Sequence, residues 1–167
     1  NEGDILVVNR KGVNTSNPRY LQVNNNQDGL SLSNEGFKGI GVKKGLRYDF
    51  SVMYRQSAAG VKMRLQLINS KNERIAEGTL APEKTGTKWH KQALSFTATA
   101  TDPKAKFTII FEGKGKIDLD MISLFPADTW KNRPQGLRAD MVQLLADMKP
   151  GFIRFPGGCI VEGTDLA

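Results

Sequence analysis

Hydrophobic and polar residues alternate over most of the first 125 positions, in short runs separated by polar turns. The clearest case is Arg47–Arg55, in which every second residue is apolar: Tyr48, Phe50, Val52 and Tyr54. A period of two places alternate side chains on opposite faces of a strand, so the pattern predicts a half-buried β-strand. Tyr48 and Tyr54 are therefore expected to lie in the core.

Other stretches share the short length, the apolar positions and the flanking turn residues of a strand. They are Asp4–Asn9, Arg19–Val23, 30–33, Gly39–Val42, Lys62–Leu67, Arg74–Leu80, Trp89–Thr97, Lys106–Phe111 and Lys116–Leu124. A run of many short strands without helix signals predicts a mostly β fold, an antiparallel jelly-roll β-sandwich. The strands on either side of the turn at residues 69–72 are expected to pair as a hairpin.

The pattern changes after Asp128. Apolar residues then recur at helical spacing: Leu137, Met141, Leu144, Leu145 and Met148. This spacing predicts an amphipathic helix that ends before Pro150. The apolar run Phe152, Ile153 and Phe155 follows and predicts a buried strand of a parallel sheet. We therefore predict two domains, a sandwich over residues 1–128 and a linker, helix and strand over residues 129–167.

Composition narrows the class of protein. An apolar fraction of 39% and a charged fraction of 25% are those of a soluble globular protein. No apolar run approaches the roughly 20 residues of a membrane helix, so no membrane partner is expected. The single Cys cannot form an internal disulfide. Since the sequence starts without Met or a signal peptide, we expect a processed protein or a piece of a longer one.

The formal net charge of +7 is spread along the chain, with small concentrations at residues 43–44 and 104–116. It is not accompanied by a basic helix, a Gly-Arg repeat or an aromatic ribonucleoprotein motif, so no nucleic-acid partner is expected. Solvated strand faces and protected sheet edges explain most of this charge. An alternative is a structural scaffold, or a basic surface that binds acidic polysaccharide without a specific sugar site.

Several segments, taken in order, resemble one known family. Arg-Phe-Pro-Gly-Gly-Cys at 154–159 follows Leu-Ala-Asp-Met-Lys-Pro-Gly-Phe at 145–152. Leu-Phe-Pro-Ala-Asp-Thr-Trp-Lys at 124–131 and Gly-Leu-Arg-Ala-Asp at 136–140 precede them, and Asn-Pro-Arg-Tyr-Leu at 17–21, Asn-Glu-Gly-Phe-Lys-Gly-Ile at 34–40 and Lys-Gly-Leu-Arg-Tyr-Asp-Phe-Ser at 44–51 lie in the sandwich. Together these segments resemble the longer family 51 α-L-arabinofuranosidases over essentially the whole chain.

The resemblance implies a carbohydrate-binding-like sandwich followed by the start of a truncated (β/α)8 catalytic barrel. It implies a secreted or periplasmic enzyme that removes terminal α-L-arabinofuranosyl groups from arabinan or arabinoxylan. The family retains anomeric configuration with two Glu residues, whose carboxyl groups lie roughly 5–5.5 Å apart in such enzymes. One of these Glu residues follows an Asn. The Asn-Glu pairs of this sequence all fall in the predicted sandwich, so the chain alone is expected to be inactive.

The substrate-binding residues implied by the resemblance are Gly158, Cys159 and Glu162. Cys159 follows the double glycine where relatives have Asn or Cys close to the bound arabinose. A free Cys is also common as a small buried apolar residue, and this Cys has no adjacent His that would make it a nucleophile. Glu162 is alternatively an ordinary exposed carboxylate on a loop.

The last strand of the sandwich resembles that of carbohydrate-binding jelly rolls in which an Asp binds structural calcium. Asp120 matches that position, and Glu2 or Asp4 would complete a shell of oxygen ligands. Alternating carboxylates on a strand are also the usual pattern of a solvent face. No other cofactor is expected.

Sugar binding needs an exposed aromatic ring and polar side chains for the hydroxyl groups. The aromatic candidates are Tyr20, Phe37, Tyr48, Tyr54, Trp89 and Trp130, and no single one is favoured by its neighbours. The expected partner is an arabinose-containing plant polysaccharide or oligosaccharide. Because an isolated barrel strand has an unpaired edge, residues 150–167 are expected to be disordered, docked on the sandwich or paired with another chain.

Overall fold

The structure is a computed structural model that describes residues 3–9 and 17–152. The chain divides into two compact units, Asn1–Asp128 and Thr129–Ala167. All strands of the described residues belong to the first unit, and the α-helix belongs to the second. None of the described helical segments has both the length and the apolar character needed to cross a membrane.

The strands follow one another with few interruptions. In chain order they are β1 (Gly3–Asn9), β2 (Arg19–Asn25), β3 (Ser31–Asn34), β4 (Ile40–Val42), β5 (Arg47–Arg55), β6 (Lys62–Ile68), β7 (Arg74–Leu80), β8 (His90–Thr97), β9 (Asp102–Glu112) and β10 (Gly115–Pro126). The second unit contains a 3-10 segment (Trp130–Asn132) and α1 (Ala139–Asp147). Most bounds lie within two residues of those expected from alternation, and β9 begins four residues earlier than expected.

The strands form two antiparallel sheets. The first sheet has the order β1-β2-β10-β5-β8, and the second has the order β3-β9-β6-β7, with β4 also paired to β9. β6 and β7 pair as a hairpin, as their shared turn predicts. This two-sheet arrangement confirms the predicted antiparallel sandwich.

The core lies between the two sheets. On β5, Tyr48, Phe50, Val52 and Tyr54 are each at most 3% exposed, which confirms the alternation expected from the sequence. Phe50 meets Phe107 of the second sheet at a ring-centroid distance of 5.6 Å. The intervening residues of β5 point away from the core and lie on the outer face of the first sheet.

One end of the second sheet is held together by Asp102, the first residue of β9. Its carboxylate is buried, with Oδ2 accepting hydrogen bonds from the hydroxyl of Ser70 (2.7 Å) and from the backbone N–H of Ser70 (3.0 Å). Oδ1 accepts a hydrogen bond from the backbone N–H of Lys104 at 2.6 Å. Asp102 thereby ties the β6–β7 turn to the start of β9.

These contacts predict an acid-sensitive stability. The hydrogen bonds from Ser70, followed by that from the Lys104 backbone, hold the pKa of Asp102 below its ordinary value. A lowered folded-state pKa stabilises the fold above the unfolded-state pKa, and that contribution is lost as pH falls through the folded value. We therefore expect Tm to decrease as the pH is lowered below about 5, and to decrease less in Asp102→Asn than in the unaltered protein. Calorimetry at several pH values measures both. The same loss of Tm with acid in both proteins would contradict this.

The second unit contains the helix expected from the 3.6-residue pattern. α1 presents apolar side chains that are exposed in the described structure: Leu137 just before it, then Met141, Leu144, Leu145 and Met148. Of the predicted C-terminal strand, Phe152 is described, is 86% exposed and belongs to no strand. Residues 153–167 lie outside the described residues, so their pairing and the start of a barrel stay predictions.

Candidate functional site

A row of polar side chains crosses the outer face of the first sheet. In the pairing register Asp118 of β10 lies opposite Gln22 of β2 on one side and opposite Arg55 of β5 on the other. Residues directly opposite in an antiparallel sheet project from the same face, so the three side chains meet. They are separated by 96 and 63 positions in the sequence, and only the strand order brings them together.

Both oxygens of the Asp118 carboxylate are occupied. Oδ2 accepts hydrogen bonds from Nη2 of Arg55 at 2.6 Å and from its Nε at 3.0 Å, and Oδ1 accepts one from Nε2 of Gln22 at 3.1 Å. The side chains of Arg55 and Asp118 are 17% and 12% exposed. Charge-assisted hydrogen bonds of this kind fix the orientation of the guanidinium plane.

Two aromatic rings flank that guanidinium. The Cζ atom of Arg55 lies 4.6 Å from the ring centroid of Trp89 and 5.1 Å from that of Tyr20. The two rings meet edge to face, with centroids 5.6 Å apart and an interplanar angle of 77°. A cation that lies within about 6 Å of the centroid of an aromatic ring is attracted to the ring. We call Tyr20, Gln22, Arg55, Trp89 and Asp118 the aromatic-arginine cluster.

Further along this face lie polar groups together with the apolar side chains of Met53 and Phe125. Ser51 of β5 and Ser123 of β10 share a hydrogen bond of 2.9 Å, and the hydroxyl of Ser95 donates to Asp49 at 2.6 Å. Trp89 and Tyr20 are half-buried, so part of each residue remains accessible. Partly accessible aromatic residues that are fixed in place, next to an amide group such as that of Gln22, suit the binding of a sugar. Because Asp118 is fully engaged, the cluster offers no free carboxylate for hydrolysis.

No family model matches the chain, but individual proteins do. It is 36% identical over 141 residues to alpha-L-arabinofuranosidase 1 of Arabidopsis thaliana, covering 83% of this chain and 20% of that protein. It is 39% identical over 166 residues to an extracellular exo-alpha-L-arabinofuranosidase of Streptomyces chartreusis, covering 96% of this chain and 19% of that protein. The arabinose-bound α-L-arabinofuranosidase MgGH51 aligns with a TM-score of 0.79 at 31% identity, over 95% of this chain and 27% of that one. Over most of its length the chain is homologous to part of the family 51 α-L-arabinofuranosidases.

This homology confirms the resemblance stated from the sequence, and it concerns the N-terminal region of the relatives. The chain spans a fifth or less of the length of the two curated arabinofuranosidases. The sandwich also aligns with TmCBM61 in complex with β-1,4-galactotriose, at a TM-score of 0.51 and 19% identity, over 74% of this chain and 85% of that one. That likeness concerns the fold alone.

The arabinose-contacting positions implied by family 51 fall at the C-terminal end. Gly158, Cys159 and Glu162 lie outside the described residues, as does Glu2, the second predicted calcium ligand. Their roles stay predictions.

Asp120 is described and lies at a bulge in β10, where the pairing with β5 shifts between Asp120 and Ser123. Its Oδ1 accepts a hydrogen bond from the backbone N–H of Met121 at 2.7 Å. Within residues 3–9 and 17–152 there is no cluster of three or more acidic, His or Cys side chains suited to a metal ion.

Asp4, the alternative calcium ligand, lies far from Asp120 in the sheet. Asp4 pairs with Asn24 of β2, and Asn24 pairs in turn with Lys116 of β10. Lys116 lies four residues before Asp120 on the same strand. This separation is about 13 Å along a strand, so Asp4 and Asp120 do not share an ion in this arrangement. Calcium at Asp120 with Glu2 stays a prediction.

The aromatic residues named as candidates for sugar binding lie in different environments in the structure. Tyr48 and Tyr54 belong to the core, as alternation predicts. Tyr20 and Trp89 join the aromatic-arginine cluster, and Phe37 is 95% exposed in the turn between β3 and β4. Gln22, Arg55 and Asp118 were not predicted as site residues. Their strands showed only the ordinary alternation, and no local signal links them.

Proposed function

We propose that the full-length protein is a retaining α-L-arabinofuranosidase that releases terminal α-L-arabinofuranosyl residues from plant polysaccharides, and that its first unit is an accessory carbohydrate-binding module. The observation that carries the proposal is the match, over 83–96% of this chain, to two proteins named as arabinofuranosidases. The alignment with MgGH51 supports it, since that structure holds arabinose.

The second unit would then be the start of the catalytic barrel, and the chain alone would be inactive. The Asn-Glu pairs at 34–35 and 72–73 lie at turns of the sandwich. Such positions do not present two carboxyl groups across one sugar, as retention requires. The proposed enzyme is secreted, which the extracellular relative from Streptomyces chartreusis supports.

We place the sugar-binding surface of the module at the aromatic-arginine cluster. The exposed parts of the Tyr20 and Trp89 rings would contact the apolar face of a sugar ring, as in other saccharide sites. Arg55 and Gln22 would hold the rings and the adjacent polar groups in a fixed geometry. Neutral plant oligosaccharides, such as those of arabinan or arabinoxylan, are the ligands this surface suits.

Isothermal titration of the chain with arabino- and xylo-oligosaccharides tests the binding proposal. We expect saturable binding, weakened about tenfold or more by Trp89→Ala, a ratio that corresponds to about 1.4 kcal/mol. Phe37→Ala is the matched control, since it removes an aromatic ring from a different surface and should leave neutral-sugar binding unchanged. Absence of heat at millimolar sugar would instead make the module a structural adaptor.

The catalytic part of the proposal has its own test. The full-length protein should release arabinose from an aryl α-L-arabinofuranoside with retained configuration, which proton NMR of the first-formed product reports. The chain of residues 1–167 should release none. Hydrolysis by the chain alone, or inversion by the full-length protein, would contradict the proposal.

A further inference from the structure

A second surface, remote in sequence from the aromatic-arginine cluster, combines an exposed ring with three cations. It lies where the β3–β4 turn, the β6–β7 turn and the first part of β9 meet, around an open groove of about 450 Å³. We call it the basic groove and define it by six residues: Phe37, Lys38, Ser70, Asn72, Lys104 and Lys106. Its volume is within the range of small-ligand sites, about 300–1,000 Å³.

Phe37 contributes nothing to the core. Phe37 is 95% exposed, and the ammonium of Lys38 lies 5.8 Å from the centroid of its ring. A single exposed apolar residue is unremarkable on its own. At the rim of a groove lined by amide, hydroxyl and ammonium groups, the ring forms a flat surface beside hydrogen-bonding groups. That combination is typical of saccharide recognition.

The groove is positive. Lys38, Lys104 and Lys106 line it, and none of them forms an ion pair within residues 3–9 and 17–152. Nζ of Lys106 lies 3.5 Å from Oδ1 of Asn72. Glu35 is the acidic residue of the lining, and the Asp102 carboxylate beneath it interacts with Lys104, so the three cations still exceed these two anions. Several ammonium groups around a concave surface concentrate anions there.

The backbone that carries these groups is fixed. Gly39 has φ +99°, and a Cβ at this position would lie 2.3 Å from Cα of Lys104, so the β3–β4 turn presses directly on β9. Across the groove, Oδ1 of Asn69 accepts the backbone N–H groups of Lys71 at 3.0 Å and Glu73 at 2.8 Å. Asp102 ties the same turn to β9 through Ser70. A fixed site loses little conformational freedom when it binds.

We propose that the basic groove binds a uronate residue of an acidic oligosaccharide. Phe37 would contact the apolar face of the pyranose ring, the lysines would pair with its carboxylate, and Asn72 and Ser70 would bond its hydroxyl groups. A free phosphate would leave Phe37 without a role, and a nucleic-acid strand would need a longer basic track with further aromatic rings. The proposal stands whether or not the outer face of the first sheet binds neutral sugars.

Titration of the chain with trigalacturonate tests the proposal, with neutral galactotriose as the matched ligand. We expect trigalacturonate to bind and galactotriose to bind at least about tenfold more weakly, since it lacks the carboxylates that the ammonium groups attract. Phe37→Ala should weaken trigalacturonate binding about fivefold or more without changing Tm, because the ring is exposed. The double change Lys104→Gln with Lys106→Gln should weaken it and reduce its dependence on salt.

Lys62→Gln with Lys116→Gln is the control, because it removes the same charge at residues that do not line the groove. Trp89→Ala should leave trigalacturonate binding intact, which separates this proposal from that for the outer face. Equal binding of both trisaccharides, an effect of the control pair as large as that of the groove pair, or unchanged binding in Phe37→Ala would overturn it. So would displacement of trigalacturonate by a short oligonucleotide at equal charge concentration, or no binding at millimolar ligand.

Discussion

Asp118→Ala is expected to lower the free energy of unfolding of the sandwich by about 3–5 kcal/mol, the cost of leaving one member of a buried ion pair without its partner. Arg55 and Asp118 are 17% and 12% exposed, so the guanidinium cannot regain full hydration when the carboxylate is removed. The change also leaves Gln22 without the acceptor for its side-chain amide. Urea denaturation followed by tryptophan fluorescence measures the difference.

The chain contains its own control for this prediction. Arg47 and Asp49 form another ion pair on the same face of β5, but their side chains are 61% and 43% exposed. Exposed pairs contribute about 0–1 kcal/mol, so Asp49→Ala should cost far less than Asp118→Ala. The double change Arg55→Met with Asp118→Leu should recover much of the lost stability, since it leaves no unpaired charge. Equal costs for Asp118→Ala and Asp49→Ala would show that burial does not determine the value of these pairs.

Asp118→Ala should also weaken the proposed binding of neutral sugars at the outer face of the first sheet. Asp118 holds the plane of Arg55, and the Arg55 guanidinium contacts the rings of both Tyr20 and Trp89. Without the carboxylate, the guanidinium loses the hydrogen bonds that orient its plane against the two rings. The stability of this face and its proposed sugar binding would therefore both depend on one carboxylate that does not itself contact the sugar.

The alternation of apolar and polar residues was sufficient to predict the strands and which face of each strand enters the core. On β5 the alternation of Tyr48, Phe50, Val52 and Tyr54 reports burial directly, because each second side chain enters the same core. The pattern contains no information about which strand pairs with which. The Gly113-Lys114-Gly115 turn joins β9 to β10, yet these strands belong to different sheets. A Cβ at Gly113 would lie 2.1 Å from the carbonyl oxygen of Gly60, so this crossing depends on close backbone contact.

The candidate sites were less predictable for the same reason. Tyr20 and Trp89 were among the aromatic candidates, but the ion pair that holds them joins β5 to β10 across 63 positions. Phe37 lies in a turn, where no periodicity distinguishes a buried ring from an exposed one. The family resemblance implies Gly158, Cys159 and Glu162 as substrate-binding residues, and these lie outside the described residues. Sites built from neighbouring strands therefore required the strand order, which alternation does not provide.

Phe50→Ala is expected to lower the free energy of unfolding by about 3–5 kcal/mol, the usual cost of removing a fully buried phenylalanine ring. Phe50 is 1% exposed and contacts Phe107 across the two sheets. The loss combines the transfer of the ring to water with the cavity that remains, because two hydrogen-bonded sheets cannot close freely around it. Chemical denaturation of the variant measures this cost.

Phe37→Ala is the matched comparison, since it removes the same ring from a position that is 95% exposed. Its effect on stability should stay within about 0.5 kcal/mol, as for other surface substitutions away from packing and hydrogen bonds. The contrast separates two uses of one residue type in a single sandwich. If Phe37→Ala destabilised the protein as much as Phe50→Ala, the Phe37 ring would have a packing role and would not be available as the aromatic contact of the basic groove. A large cost at Phe50 and none at Phe37 leaves ligand contact as the role that the exposed ring can fill.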